Sequence, residues 1–170
     1  QKLHRKAARL TACRLYKRSV DARKKHAIVY QITAAVETDR ELTRELRESL
    51  SLWAEKFNIA RLVWSGEQVA QRHPPVQKFG PADVVPPPGA FLQATPDGEA
   101  ALLAAVKRII GPAKRVVDIF AGCGTFALPL STKSEVHAVE GEAAMLAALD
   151  KGWRRVGGLS LVTTETRDLF

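Results

Sequence analysis

The stretch Arg115-Val-Val-Asp118-Ile-Phe120-Ala-Gly122-Cys-Gly124-Thr125-Phe126, with Val136-His-Ala-Val-Glu140 after it, decides the fold. Residues 115–120 form a β-branched run that reads as a strand, and the run opens into a loop with two glycines. Residues 136–140 predict a second strand, residues 142–155 a helix and residues 159–166 a third strand. Strand, loop, helix, strand, helix, strand is the order of a parallel α/β half-sheet. The two glycines let the backbone turn sharply and approach a ligand, while the helix behind them offers unpaired N–H groups. Glu140 ends the second strand 16 residues after Gly124, where an acidic acceptor for a ribose diol is expected. That spacing suits a nucleotide, a dinucleotide or a nucleoside-like cofactor. Ala127 and Leu128 stand where the dinucleotide fingerprint has its third glycine, which argues against NAD or FAD.

Upstream of this half-sheet, Thr95 as N-cap and Pro96 at the first helical position predict a helix through Ile110, stopped by Gly111-Pro112. Residues 73–89 carry Pro74, Pro75, Gly80, Pro81, Pro86, Pro87, Pro88 and Gly89. Proline lacks a donor and fixes φ, so this stretch is loop, edge strand or linker. It divides the chain into a basic α+β region at 1–72, a proline-rich connection at 73–89 and a half-domain at 90–170. Within the first region, Thr38 and Glu41 read as a capping box ahead of Leu42, Leu46, Leu50, Trp53 and Phe57 at helical spacing. The expectation is a helix over 39–57 whose leucine and aromatic stripe enters the core. Residues 61–64, the turn Ser65-Gly66 and residues 67–71 predict a hairpin. In residues 1–33 only 27–32 reads as a strand.

Charge narrows the function. The 170 residues carry +8, yet residues 1–30 hold ten Lys and Arg against Asp21 alone, so this stretch carries +9 and the rest −1. A local basic arm suits a polyanion such as RNA, since each cation that meets a phosphate releases counterions. A small metabolite needs no such arm. An Arg-rich, acid-poor N-terminus also fits a transit peptide, but a chain opening on Gln1 points to internal sequence instead. No stretch approaches the run of roughly 18 apolar residues of a membrane span. Two cysteines, Cys13 and Cys123, make neither a disulfide framework nor a four-thiolate site, which favours a reducing, cytoplasmic setting.

Four separated motifs carry a resemblance: Pro87-Pro-Gly-Ala-Phe91-Leu-Gln93, the segment from Val117 to Leu130, Val136-His-Ala-Val-Glu140, and Thr166-Arg-Asp168-Leu-Phe170. In this order and spacing the chain resembles the S-adenosylmethionine-dependent RNA (uracil-5-)-methyltransferases over residues 61–170, and more loosely around Arg23-Lys-Lys-His26. The resemblance implies a Rossmann-like α/β sheet and S-adenosylmethionine as cofactor. It implies Gln93 at the methionine end, Phe120, Gly122 and Thr125 in the surrounding loop, Glu140 on the ribose hydroxyls and Asp168 near the adenine.

The departures from that family matter equally. Its members resemble one another in a cysteine thiolate that adds to uracil C6 and a glutamate base, both beyond the third strand; no residue here matches either. Cys123 is expected in the cofactor loop with its thiol toward the cofactor, and two distant cysteines cannot supply the four thiolates of an iron–sulfur cluster. In the family's sheet the strand holding Asp118 is central, so here it is expected to expose an unpaired apolar edge, open to self-association. A non-catalytic RNA-binding module that retains the fold is the competing reading.

Overall fold

The computed structural model describes residues 9–19 and 28–170, the first strands by backbone alone up to residue 31. Lys2, Arg5, Lys6, Arg23, Lys24 and Lys25 of the basic arm lie outside the described residues. The chain divides into two compact units, residues 1–77 and 78–170.

The first unit is a four-stranded sheet in the order β1-β2-β3-β4, made of β1 (Arg9–Ser19), β2 (Ile28–Glu37), β3 (Ile59–Trp64) and β4 (Glu67–Gln71). The pair β1/β2 is antiparallel, β2/β3 parallel and β3/β4 antiparallel. Helix α1 (Arg44–Lys56) makes the crossover between the parallel strands. The expectation of one short strand in the first 33 residues is thereby corrected. A register shift between Leu10 and Ala12 breaks the two-residue period by which β1 could have been recognised.

Helix α1 also corrects its predicted start. Its N-cap is Thr43, whose hydroxyl accepts from the Leu46 N–H at 3.3 Å. Thr38 is held instead by the hairpin turn: its N–H donates to Ser65 Oγ at 3.0 Å, and the Ser65 hydroxyl donates back to the Thr38 carbonyl at 2.6 Å. The turn itself is as expected, with positive φ at both Ser65 and Gly66. The core is Ala34, Ala54, Ile59 and Leu62, flanked by Ile32, Leu50, Val69 and Ala70. Trp53 and Phe57 do not join it, being 45% and 52% exposed. The sheet takes the Leu50–Ala54 stripe, and the aromatic pair lies roughly 60° to one side of it round the helix.

The proline-rich stretch, which begins at the end of the first unit and runs into the second, contains a two-stranded sheet, β5 (Gln77–Phe79) and β6 (Ala82–Val84). Helix α2 (Pro96–Ile110) is capped as predicted, Thr95 accepting from the Gly98 N–H at 3.1 Å, and it stops at Gly111. Three parallel strands follow in the order β7-β8-β9: β7 (Arg115–Ile119), β8 (Glu135–Glu140) and β9 (Val162–Thr166). Val116, Val136 and Val162 stand side by side on the face that receives α3 (Ala127–Leu130) and α4 (Ala143–Arg154). The other face is open. There His137 lies between Thr163 Oγ1 at 2.8 Å and Glu165 Oε2 at 3.1 Å, while Val117 and Ile119 are 63% and 60% exposed. Among the described residues β7 pairs only with β8, so the expected unpaired apolar edge is present.

Candidate functional site

The site grows from the end of β7. Phe120 has φ 59°, a left-handed conformation that costs a non-glycine residue about 1–2 kcal/mol. The Ala121 N–H then donates to the Val139 carbonyl at 3.1 Å, tying the loop to β8. Both glycines have positive φ, yet they do different work. A Cβ on Gly124 would stand 2.8 Å from Leu128 Cδ1 and 2.9 Å from Leu149 Cγ, so this glycine lets the loop close against α3 and α4. A Cβ on Gly122 would meet nothing within 4 Å. Gly122 faces open space.

Glu140, ending β8, holds the loop from the other side. Its Oε2 accepts from the Gly122 N–H at 2.9 Å, and Oε1 accepts from Gly141 N–H at 2.8 Å and Glu142 N–H at 3.2 Å. A carboxylate offers about four acceptor positions. Three are occupied by backbone, which leaves one for a ligand. Asp118, one strand away, is largely buried, and its Oδ2 has no hydrogen-bond partner. Its pKa is pushed up to about 6, chiefly by burial, with the Ala127 N–H opposing and the negative charge of Glu140 adding to the rise.

These elements enclose a cavity of about 330 Å³ at the carboxyl ends of the parallel strands. Gln93, Phe120, Gly122, Thr125 and Glu140 all line it. So do Phe91, Phe126, Glu142 and Met145, which sequence reasoning passed over. Phe91 and Phe126 stand inside the motifs, two residues before Gln93 and one after Thr125, and that adjacency was the available signal. Met145 sits in the first turn of α4 and had none. Asp168 is not among the lining residues; its Oδ1 accepts from the Phe170 N–H at 3.1 Å. Cys123 corrects its expectation, since the loop turns it inward to 0% exposure and away from the cavity wall. Among the described residues no cluster of His, Cys, Asp and Glu is suited to hold a metal ion.

The contents of the cavity wall fit a nucleoside-like group: one acidic acceptor for a hydroxyl, a primary amide, apolar walls and an open glycine. A family model described as a domain of unknown function (DUF8436) matches residues 1–37. An uncharacterized RNA methyltransferase of Brucella suis is 48% identical over 129 residues, which is 76% of this chain and 31% of that protein. The 23S rRNA (uracil(1939)-C(5))-methyltransferase RlmD of Halomonas elongata is 41% identical over 70 residues, 41% of this chain and 14% of its own length. Among solved structures, the Pyrococcus abyssi tRNA (uracil-54, C5)-methyltransferase in complex with S-adenosyl-L-homocysteine matches with TM-score 0.61 at 12% identity, over 80% of this chain and 35% of that one. That likeness shows a Rossmann-like methyltransferase fold. The chain spans about a third of the length of the curated relatives it matches most fully, and it is homologous to that part of proteins named RNA methyltransferases.

Proposed function

We propose that residues 90–170 bind S-adenosylmethionine in this cavity, as the cofactor-binding part of an RNA methyltransferase that acts on uracil C5 in rRNA or tRNA. The observation that carries the reading is the convergence of Gln93, Phe120, Gly122, Thr125 and Glu140, from three separate stretches of sequence, on one cavity at the strand ends. Open α/β sheets bind their ligands there. When bound, the cofactor supplies an electrophilic methyl group carried on a cationic sulfur. The remaining acceptor position of Glu140 takes a ribose hydroxyl, and the Gln93 amide holds the methionine end. Phe126 and Met145 exclude water from their part of the wall, which strengthens the attraction between the acidic residues and a cationic ligand. Asp168 is not in the cavity wall, so its role near the adenine rests on the resemblance alone.

The uracil ring is a weak nucleophile at C5 and needs a thiolate added first at C6. Cys123, buried inside the loop, cannot serve as that thiolate. RNA is met through the basic residues 1–30, joined by the 73–89 connection to the cofactor-binding part, and the setting is the cytoplasm. No described helix is long and apolar enough to cross a membrane. The free edge of β7 is where a second copy of the chain could add a strand.

Calorimetric titration tests the central claim: S-adenosylhomocysteine binds measurably and NAD does not. Tighter binding of NAD would overturn it.

A further inference from the structure

Residues 73–89, expected as a connection, hold more structure than a connection needs. Phe79, Ala82 and Val84 of the β5–β6 hairpin are buried to 1% exposure or less. Its turn and its second strand each rest on a helix of the cofactor-binding part. Gly80, in the turn, has φ 56°, and a Cβ there would stand 3.0 Å from Pro129 Cα of α3. Val84 occupies the space beside Gly152 of α4: a Cβ on that glycine would stand 2.6 Å from Val84 Cγ2 and 3.4 Å from the Asp83 carbonyl oxygen. Gly152 lies within the helix ahead of its C-cap Arg155, without the positive φ of a helix-ending glycine. Glycine weakens a helix interior, and here its use is the close approach of β6.

The hairpin leads directly into the cavity wall. From Val84 the chain runs through Val85, Pro86, Pro87 and Pro88 to Gly89, and Gly89, Phe91 and Gln93 line the cavity. Each proline has its φ fixed by its ring, and such a segment is a semi-rigid spacer. No glycine intervenes before Gly89, so a shift at Val84 reaches the wall instead of being absorbed on the way. Another part of the wall belongs to α4, which brings Met145 to the cavity about 10 Å along the helix from Gly152. One helix therefore carries part of the wall and seats the support of another part. We propose that the β5–β6 hairpin sets the position of Gln93 relative to Glu140 and Met145, with Val84 and Gly152 as positioning residues that act through the backbone of residues 85–93. The proposal rests on the cofactor reading above and adds to it what holds the site in shape.

The experiment uses the full-length protein at a temperature where circular dichroism shows it folded. Affinity for S-adenosylhomocysteine is read by calorimetry, and hydrogen–deuterium exchange of residues 85–93 is read without ligand. Gly152→Ala puts its methyl group against Val84, weakens cofactor binding about tenfold and speeds exchange in residues 85–93. Adding Val84→Ala removes both γ-carbons from that contact, slows the exchange again and returns affinity to within about threefold of wild type. Ser134→Ala is the comparison: the Ser134 hydroxyl donates to the Ala113 carbonyl at 2.7 Å beside the amino end of β8, so its loss weakens the same sheet away from the cavity and leaves affinity unchanged. A Gly152→Ala variant that binds like wild type overturns the proposal. So does a loss of binding or of folding that Val84→Ala does not relieve, or an equal loss of affinity in Ser134→Ala. Exchange separates the two claims: a wild type that binds no S-adenosylhomocysteine sinks the cofactor reading, while exchange that still rises with Gly152→Ala and falls with Val84→Ala leaves the support standing.

Discussion

Gly122 and Gly124 share a positive φ and a loop, and their opposite surroundings make opposite predictions. Gly124→Ala drives a methyl group into Leu128 and Leu149 and adds backbone strain, so it destabilises the fold by about 2–4 kcal/mol, seen as a lower Tm. Gly122→Ala costs only the backbone term of about 1–2 kcal/mol, but its methyl group projects into the cavity. Cofactor affinity is then its main loss, read by calorimetry. A Gly122→Ala variant that binds the cofactor normally would show that the open space belongs to another ligand. Glu140→Ala frees three backbone N–H groups and removes the acidic acceptor, and it weakens cofactor binding by about 1–3 kcal/mol. Asp118 makes a pH prediction. Its folded-state pKa of about 6 lies above the ordinary 3.8, so the folded protein holds this proton more tightly than the unfolded chain. Stability from this group is full below pH 4, falls as pH rises to about 6 and is flat above, by about 2–3 kcal/mol in all. Chemical denaturation across pH 4–7 shows that fall in the wild type, and Asp118→Asn flattens it; an equal slope in both would place the proton elsewhere. Much of this site was readable beforehand because strand ends, glycines and Glu140 lie in short, spaced motifs. The burial of Asp118 and the part of Met145 in the wall were not, since both arise from packing between α4, α3 and the strands.

Helix α1 shows where local pattern stops deciding. Its leucines and aromatics recur at helical spacing, which correctly announces a helix, but the spacing cannot say which flank the sheet will cover. Ala54, small enough to let α1 approach the sheet, is the buried residue, and Trp53 beside it is left outside. The start of the helix is ambiguous for a similar reason: Thr38 and Thr43 both offer a hydroxyl ahead of the stripe, and Thr38 is diverted by Ser65 across the chain. Thr43→Ala therefore costs about 1 kcal/mol of stability through the lost cap. Thr38→Ala keeps its backbone bonds to Ser65 and loses only an exposed side-chain bond from the Arg40 N–H, a few tenths of a kcal/mol. Urea denaturation of the two variants distinguishes them, and a larger loss at Thr38 would return the cap to the capping box. Parallel strands were the easier elements to recognise. β7 and β9 are rich in β-branched residues and β8 alternates around Val136, Ala138 and Val139, whereas β1 hides its period behind a register shift.

At the scale of the molecule, the net charge lies wholly in the first unit and the cofactor cavity in the second, so RNA affinity and cofactor affinity are expected to respond to different substitutions. Counterion release turns this into a measurement, because the slope of log affinity against log salt counts neutralised phosphates at about 0.7 each for a single strand. Removing residues 1–30 outright is a poor test: it takes away all of β1 and the first residues of β2, so lost binding would not be distinguished from a lost sheet. Charge neutralisation avoids this. Changing Arg5, Lys6, Lys24 and Lys25 together to Gln leaves the residues of β1 and β2 in place and removes up to four phosphate contacts. The expected result is a salt slope smaller by about 2 to 3, weaker RNA binding at low salt and converging affinities at high salt. Cofactor affinity should be unmoved, since none of these residues lines the cavity. An unchanged slope would mean that the phosphates are met by cations elsewhere in the chain. A lower cofactor affinity in the same variant would mean that the two units communicate, which is the outcome that separate titrations of each ligand are arranged to detect.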